Sequence, residues 1–504
     1  MSSKLLVAFA AVCILSIGAF AAVENIKVSG DITATAVNRD FSLGNAGENL
    51  GLAVDANTGH GNPDAEQFAY SQVRLRFDAD LTEGVSAVVR LINERLWGSE
   101  DVDNGSANTV PGGSGSLSTN TSGGDTEIDL DLAYIEMKEF LYEPLTVIVG
   151  RQNLRYGNAL IIGDPDTNQT ASVKVPVEMS DMSLRKSFDA VRAILDYSPY
   201  TIESIYAAVD ENVTNINDDR NIWGSQITYD WASYNGVTEG YFFHSNQSHD
   251  NVLGSPIHVI PEVNANSVGG TQIVEDQSYT NVVGGRFQYD PNDKWTLGLE
   301  GAYQFGDIHI VTAAFNDITG DPYQHLSAYA IQAMAQYRFL NDYNAMLQLE
   351  YTYLSGDDDL TDERHTAWDP MFEDQSSGEI INILFPQSGT QCVTLRGSMM
   401  PREDITIGGL YTYLLLSEKV NYDVNAANAV VTYNPLVGPA VANTYNIEGN
   451  GNYLGSEIDA YMLYDYTEDV QIKLSGATFI PGDFWHHENN SPAYSLKAGV
   501  SVDF

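Results

Sequence analysis

The sequence contains only two cysteines, Cys13 and Cys392. Cys13 lies inside an apolar N-terminal run, so a processed chain would keep one thiol and could form no internal disulfide, which leaves an oxidising compartment open. Basic residues are scarce: 24 Lys and Arg stand against 68 Asp and Glu, a net charge of −44. Nucleic acid, whose phosphates are bound by clustered Lys and Arg, is excluded as a partner. Beyond the N-terminus no stretch approaches the roughly 18 consecutive apolar residues of a spanning helix, which excludes a helical membrane protein. Catalytic signatures are missing as well. Neither Gly-x-Ser-x-Gly nor His-Glu-x-x-His occurs, and the nine His fall mostly in expected loops. No enzyme activity, cofactor or metal site is expected. The adjacent His486 and His487 would point opposite ways on an extended segment, and Asp357-Asp358-Asp359 lacks the ligand spacing of a calcium loop.

What is present begins at the two ends. Lys4 precedes the apolar run Leu5 to Phe20, and Ala19-Phe20-Ala21 supplies a small-x-small cleavage site. This predicts a signal peptide over 1–22 and a single domain over 23–504. At the other end, Tyr494, Leu496, Ala498, Val500, Val502 and Phe504 alternate with Ser495, Lys497, Gly499, Ser501 and Asp503. A period of two over this length gives a strand with one greasy and one wet face, long enough to cross a bilayer when tilted. A terminal Phe504 on such a strand resembles the assembly signal of outer-membrane barrels, which implies the barrel-assembly machinery and outer-membrane lipids as partners.

With the C-terminal one included, eighteen segments alternate in the same way: 26–37, 67–80, 85–96, 127–138, 144–152, 187–197, 201–210, 221–231, 237–246, 279–290, 294–306, 325–339, 343–355, 391–399, 404–416, 456–466, 469–480 and 493–504. Alternation averages to a middling mean hydropathy, −0.19, which is how barrels escape hydropathy searches. Short turns such as 198–200, 340–342 and 400–403 alternate strictly with long Gly, Asn, Ser and Asp-rich connections such as 97–126, 356–390 and 417–455. Segregation of loop length by end predicts an all-β fold, a transmembrane antiparallel β-barrel of about 18 strands with short periplasmic turns and long extracellular loops.

Strand parity predicts the two faces. Trp295, Leu297, Leu299, Tyr303 and Phe305 share one parity, and Thr296, Glu300 and Gln304 the other. Charge on the lipid face costs about 2–4 kcal/mol at the midplane, so the polar parity faces the lumen. Aromatic residues near strand ends (Trp295, Tyr303, Phe305, Tyr351, Tyr353, Tyr411, Tyr413, Tyr464, Tyr466) are expected to form interfacial girdles. A barrel of sixteen to eighteen strands encloses an aqueous channel, so the expected function is a pore in the Gram-negative outer membrane.

Three sets of motifs occur in order. The first is Val149-Gly150-Arg151-Gln152-Asn153-Leu154-Arg155-Tyr156-Gly157, with Ile161-Ile162-Gly163 and Ser187-Phe188-Asp189-Ala190-Val191-Arg192. The second is Ser355-Gly356-Asp357-Asp358-Asp359 with Trp368-Asp369-Pro370-Met371-Phe372, and the third Leu454-Gly455-Ser456-Glu457-Ile458-Asp459 with Pro481-Gly482-Asp483-Phe484. Together they resemble the alginate-export family of outer-membrane porins. The resemblance implies a passive conduit for small solutes or carboxylated sugar chains, with an arginine-bearing constriction to which Arg151 and Arg192 correspond. Arg155, Arg185 and Asp189 lie in the same segment, and Arg74, Arg76 and Arg90, with Arg286, Arg338 and Arg396, would extend an arginine ladder. A guanidinium in the lumen binds carboxylates bidentately. The alternative for each is pairing with Asp78, Glu94, Glu300 or Glu350 to solvate the wall. The segment 356–389 carries nine acids against Arg364, and such a mouth would repel anions. The competing function classes are a ligand-binding or adhesin barrel without conduction and, further off, a barrel hydrolase.

Overall fold

The computed structural model describes residues 25–41, 66–98, 128–166, 181–210, 220–248, 277–309, 323–357, 363–385, 387–418, 451–484 and 491–504. The expected signal peptide, the His486-His487 pair, part of the acidic run after Gly356 and most of the long outer connections lie outside the described residues.

The strands are β1 (Asn25–Asp40), β2 (Glu66–Thr82), β3 (Val85–Leu96), β4 (Asp129–Met137), β5 (Leu145–Asn153), β6 (Ser187–Asp196), β7 (Tyr200–Asp210), β8 (Arg220–Trp231), β9 (Gly236–Ser248) and β10 (Gln277–Asn292). They continue with β11 (Trp295–His309), β12 (Tyr323–Arg338), β13 (Met346–Leu354), β14 (Arg364–His365), β15 (Thr390–Arg402), β16 (Ile405–Leu416), β17 (Tyr453–Asp465), β18 (Val470–Pro481) and β19 (Ala493–Asp503). One helical turn, α1 (Ile381–Leu384), precedes β15. The two-residue β14 lies parallel to β12, while β13 pairs directly with β15, so eighteen antiparallel strands form the wall. Each expected strand end falls within three residues of the observed one.

The wall closes where β1 meets β19, in register from Asp31 opposite Asp503 to Asp40 opposite Tyr494. The alternating C-terminal segment is thus consumed entirely by the seam. Phe504 and Gly30 exchange both backbone hydrogen bonds, at 2.8 and 2.9 Å. Closure removes the unpaired strand edge, which lipid could not hydrogen-bond.

Parity sorts the side chains as anticipated. Leu299, Leu349 and Leu496 are each more than half exposed, whereas Thr296, Glu300 and Gln304 are buried. Two belts of aromatic rings bracket this apolar band. Trp295 with Tyr337, and Tyr200 with Tyr229, belong to the short-turn end; Tyr303 with Phe305, and Tyr329 with Tyr353, belong to the long-loop end. Such belts seat a barrel at the two membrane interfaces.

Candidate functional site

Five arginines of the inner wall are each matched to an acid. Arg74 pairs with Asp31 at 2.9 Å, Arg76 with Asp78 at 2.7 Å, Arg90 with Asp131 at 2.5 Å, Arg192 with Glu203 at 2.7 Å and Arg286 with Glu239 at 2.9 Å. The guanidinium fork suits these carboxylates, and each pair cancels most of its own field. On this wall the arginines solvate acids rather than forming an uncompensated ladder.

The motif around Arg151 divides between the two faces. Arg151 lies opposite Asp189 across the β5–β6 ladder and pairs with it at 3.1 Å. Both share the parity of Val149 and Val191, which are 37 % and 46 % exposed, while Gln152 and Phe188 of the opposite parity are buried. Arg151 and Asp189 therefore stand on the outer face near the long-loop rim, not in the lumen where the motif suggested an arginine. Three residues along β6, Arg192 has the other parity and faces inward. Gly150 is required where it stands: its φ is +122°, and a Cβ would run into the Ala133 carbonyl.

Two loops fold into the barrel. One follows β5 and the other joins β13 to β15. They are apolar where they meet: Leu154, Tyr156, Leu160, Ile161 and Ile162 of the first form one buried cluster with Trp368, Met371 and Phe372 of the second. The cluster is completed by inward residues near the outer ends of strands, among them Phe188, Ile222 and Phe243. Phe372 packs edge-on against Phe188, ring centroids 5.9 Å apart, and lies under the Arg220 guanidinium at 4.3 Å. Backbone bonds join the loops too, from Phe372 N to the Ile161 carbonyl at 3.0 Å and from Gly163 N to the Phe372 carbonyl at 2.7 Å. The second loop then crosses to the far wall, where Ile380, Ile381, Leu384 and Phe385 pack among Cys392, Leu414, Leu454 and Phe479 of β15 to β18.

Wall carboxylates receive these loops. Glu94 on β3 accepts from Leu184 N at 2.9 Å and Ser183 Oγ at 2.7 Å. Glu300 on β11 accepts from Asn158 N at 2.7 Å and from the Tyr241 hydroxyl at 2.9 Å. Glu457 on β17 accepts from Ile380 N at 2.7 Å and Ile381 N at 2.6 Å. Glu203 on β7 accepts the Tyr156 hydroxyl as well as Arg192. Glu94 and Glu300 thus serve the loops, not the wall arginines that sequence reasoning assigned to them. Gly157, with φ +57°, leaves no room for a Cβ against Glu300.

The loops bring their own charges together at their junction. Arg155 Nη1 donates to Asp374 Oδ2 at 2.6 Å, and Lys186 Nζ donates to Asp374 Oδ1 at 2.5 Å. Arg155 remains 54 % exposed and Lys186 37 %. Burial pushes the Asp164 carboxyl up to about 6, against the pull of the Asp166 N–H and Lys186. Burial, with the Asp374 and Asp164 charges behind it, pushes Glu373 up to about 8. Arg185 is enclosed between Asp129 at 3.8 Å and Asp166 at 3.7 Å, away from the passage. Across the lumen Lys497 of β19 reaches Glu379 at 3.1 Å, and Arg396 donates to the Ser376 carbonyl. Lys186 and Lys497 escaped the sequence reading. Their signal was available: Lys497 sits at an inward parity position, and Lys186 directly precedes a motif strand.

Comparison with known proteins places this geometry in context. The family model described as alginate export matches residues 54–499. Among solved structures, Pseudomonas aeruginosa OccK3 (OpdO) is 10% identical, with 96% of this chain and 97% of that one covered at a TM-score of 0.50. The outer membrane protein opdK from Pseudomonas aeruginosa is also 10% identical, at 96% and 99% coverage and a TM-score of 0.48. Pseudomonas aeruginosa OccK2 (OpdF), solved in complex with glucuronate, is 9% identical, at 96% and 98% coverage and a TM-score of 0.49. At such identities the likeness is one of fold. No curated protein matches the sequence.

Proposed function

The chain belongs to the alginate-export family, and from that premise we propose that its outer-membrane barrel passes hydrophilic solutes and carboxylated sugar chains past Arg155 and Lys186 by passive diffusion. The family is one of transport, not catalysis. The observation that carries the cargo class is the pair of cations on Asp374. Both remain partly exposed, and a carboxylate arriving in the lumen can take the place of Asp374 on either cation without either charge being left unpaired. Exchange of one carboxylate for another gives weak, multiple-site binding, which conduction requires. Arg396 and Lys497 extend the same chemistry to the opposite wall. The wall pairs of Arg74, Arg76, Arg90 and Arg192 supply a polar, locally neutral surface.

The chain enters the outer membrane after removal of residues 1–22, with Phe504 as the signal read by the assembly machinery. Its position supports that role: the ring packs over Gly30, and the residue remains 60 % exposed at the short-turn rim.

The test is single-channel conductance of the purified protein in planar bilayers, with the reversal potential in a salt gradient. A stable channel whose anion share falls in the Arg155→Ala, Lys186→Ala double variant is the expected result. No conductance would favour a ligand-binding barrel, and an unchanged reversal potential would remove these two residues from the selectivity path.

A further inference from the structure

We infer that four wall carboxylates, Glu94, Glu203, Glu300 and Glu457, set the bore of the channel by holding its two inward loops against the wall. They are positioning residues, acting on the passage through the loops that they fix. The inference rests on the channel reading above.

The four lie on β3, β7, β11 and β17, spread around the circumference. Each receives a donor from an inward loop: Leu184 N and Ser183 Oγ, the Tyr156 hydroxyl, Asn158 N, and Ile380 N with Ile381 N. Three of the four are almost wholly buried, Glu94 at 7 %, Glu300 at 3 % and Glu457 at 0 % exposure. An unpaired carboxylate is expensive to bury, so a loop that lifts away must be replaced by water at each site. Bonds from a neutral donor to a carboxylate are about twice as strong as neutral ones. Steric fit adds to this. A Cβ on Gly157 or Gly378 would collide with the carboxylate of Glu300 or Glu457, so the loop backbone approaches the wall as closely as glycine allows.

None of these loop contacts belongs to the strand ladder, which closes through backbone bonds alone. The wall can therefore persist while the loops loosen. Glu457 and Glu300 also differ in a way that gives the test its sharpness. Both oxygens of Glu457 accept fixed backbone N–H groups, so a glutamine there must aim its own NH2 at a donor. At Glu300 one partner is the Tyr241 hydroxyl, which can turn and accept from an amide.

The experiment compares the full-length wild type with Glu300→Ala, Glu300→Gln, Glu457→Ala and Glu457→Gln. It uses planar-bilayer conductance and liposome swelling with neutral sugars of increasing size. Heat-modifiable gel mobility reports whether the barrel is closed. The alanine variants and Glu457→Gln should keep a closed barrel, raise conductance by on the order of twofold and admit larger sugars, while Glu300→Gln stays near wild type. Closed barrels with wild-type conductance and size limit would overturn the inference. So would loss of the closed barrel in all four variants, since the carboxylates would then be determinants of the wall. A wild type that does not conduct would instead defeat the channel reading, and is distinguished by that single measurement.

Discussion

The wall and the loops inside it are held together by different means. Every wall strand has backbone partners on both sides, and the ladder returns on itself where β1 meets β19. The inward loops have a few backbone bonds, two apolar clusters and the carboxylates that receive them. The wall thus depends on a repeating pattern that tolerates local change, and the loops on individual side chains that do not. The difference predicts that substitutions will separate into those that unmake the barrel and those that only change what passes through it.

Phe372→Ala should show the largest effect. Its ring is fully buried between Phe188 and Arg220, and truncating such a side chain costs about 3–5 kcal/mol. That loss falls on loop docking, so conductance and protease access to 363–385 should rise while the barrel's melting temperature holds. A parallel fall in melting temperature would mean that wall and loops are one cooperative unit. Leu299→Arg breaks the comparison from the other side. It puts charge on the lipid face at a cost of about 2–4 kcal/mol, and should lower the barrel's stability in a urea titration without altering ion selectivity in what still folds.

Acidity sharpens the contrast, because Asp164 and Glu373 belong to the loops alone. Both carboxyls are raised in the docked state, so docking binds protons more tightly than release does. The stabilisation is complete below the ordinary carboxylate range near 4 and is lost as pH rises through about 6 for Asp164 and about 8 for Glu373. Protease access to the loops should therefore increase between pH 5 and 8, and Glu373→Gln should remove the upper part of that rise. A flat profile in the wild type would show that these carboxyls do not titrate in the docked loops. The smallest effect belongs to Arg151→Ala. An ion pair with Asp189 on the outer face contributes about 0–1 kcal/mol, and reversal potential and bore should match the wild type.

Much of the wall was legible because lipid outside and water inside impose a period of two on every strand. The strands themselves and the inward face of Glu300 followed from that rule, and the girdles from aromatic residues placed near strand ends. Parity also contained a correction to the motif reading. Asp189 and Arg192 are three residues apart on one uninterrupted strand and cannot share a face, and Arg151 shares the parity of Val147 and Val149. The loops were hidden for a different reason. Their apolar residues have no period, and their partners, Ile222 and Phe243 among them, are inward residues of strands whose outer ends turn apolar on both faces. Tyr241-Phe242-Phe243 breaks the alternation and marks where something apolar must lie inside. What lies there was set by contacts between residues as distant as Arg155 and Asp374, which no local pattern reveals.

The seam bears on the order of events during assembly. Gly30 and Phe504 meet from opposite ends of the described chain, so the seam closes the longest loop of polypeptide in the wall and carries the largest closure cost. The interior touches both sides of that join: Asp181 holds Arg39 of β1 at 3.0 Å, and Glu379 holds Lys497 of β19 at 3.1 Å. Loops already folded inward would act as a mandrel, giving the curling sheet its radius and bringing its two margins within reach of each other.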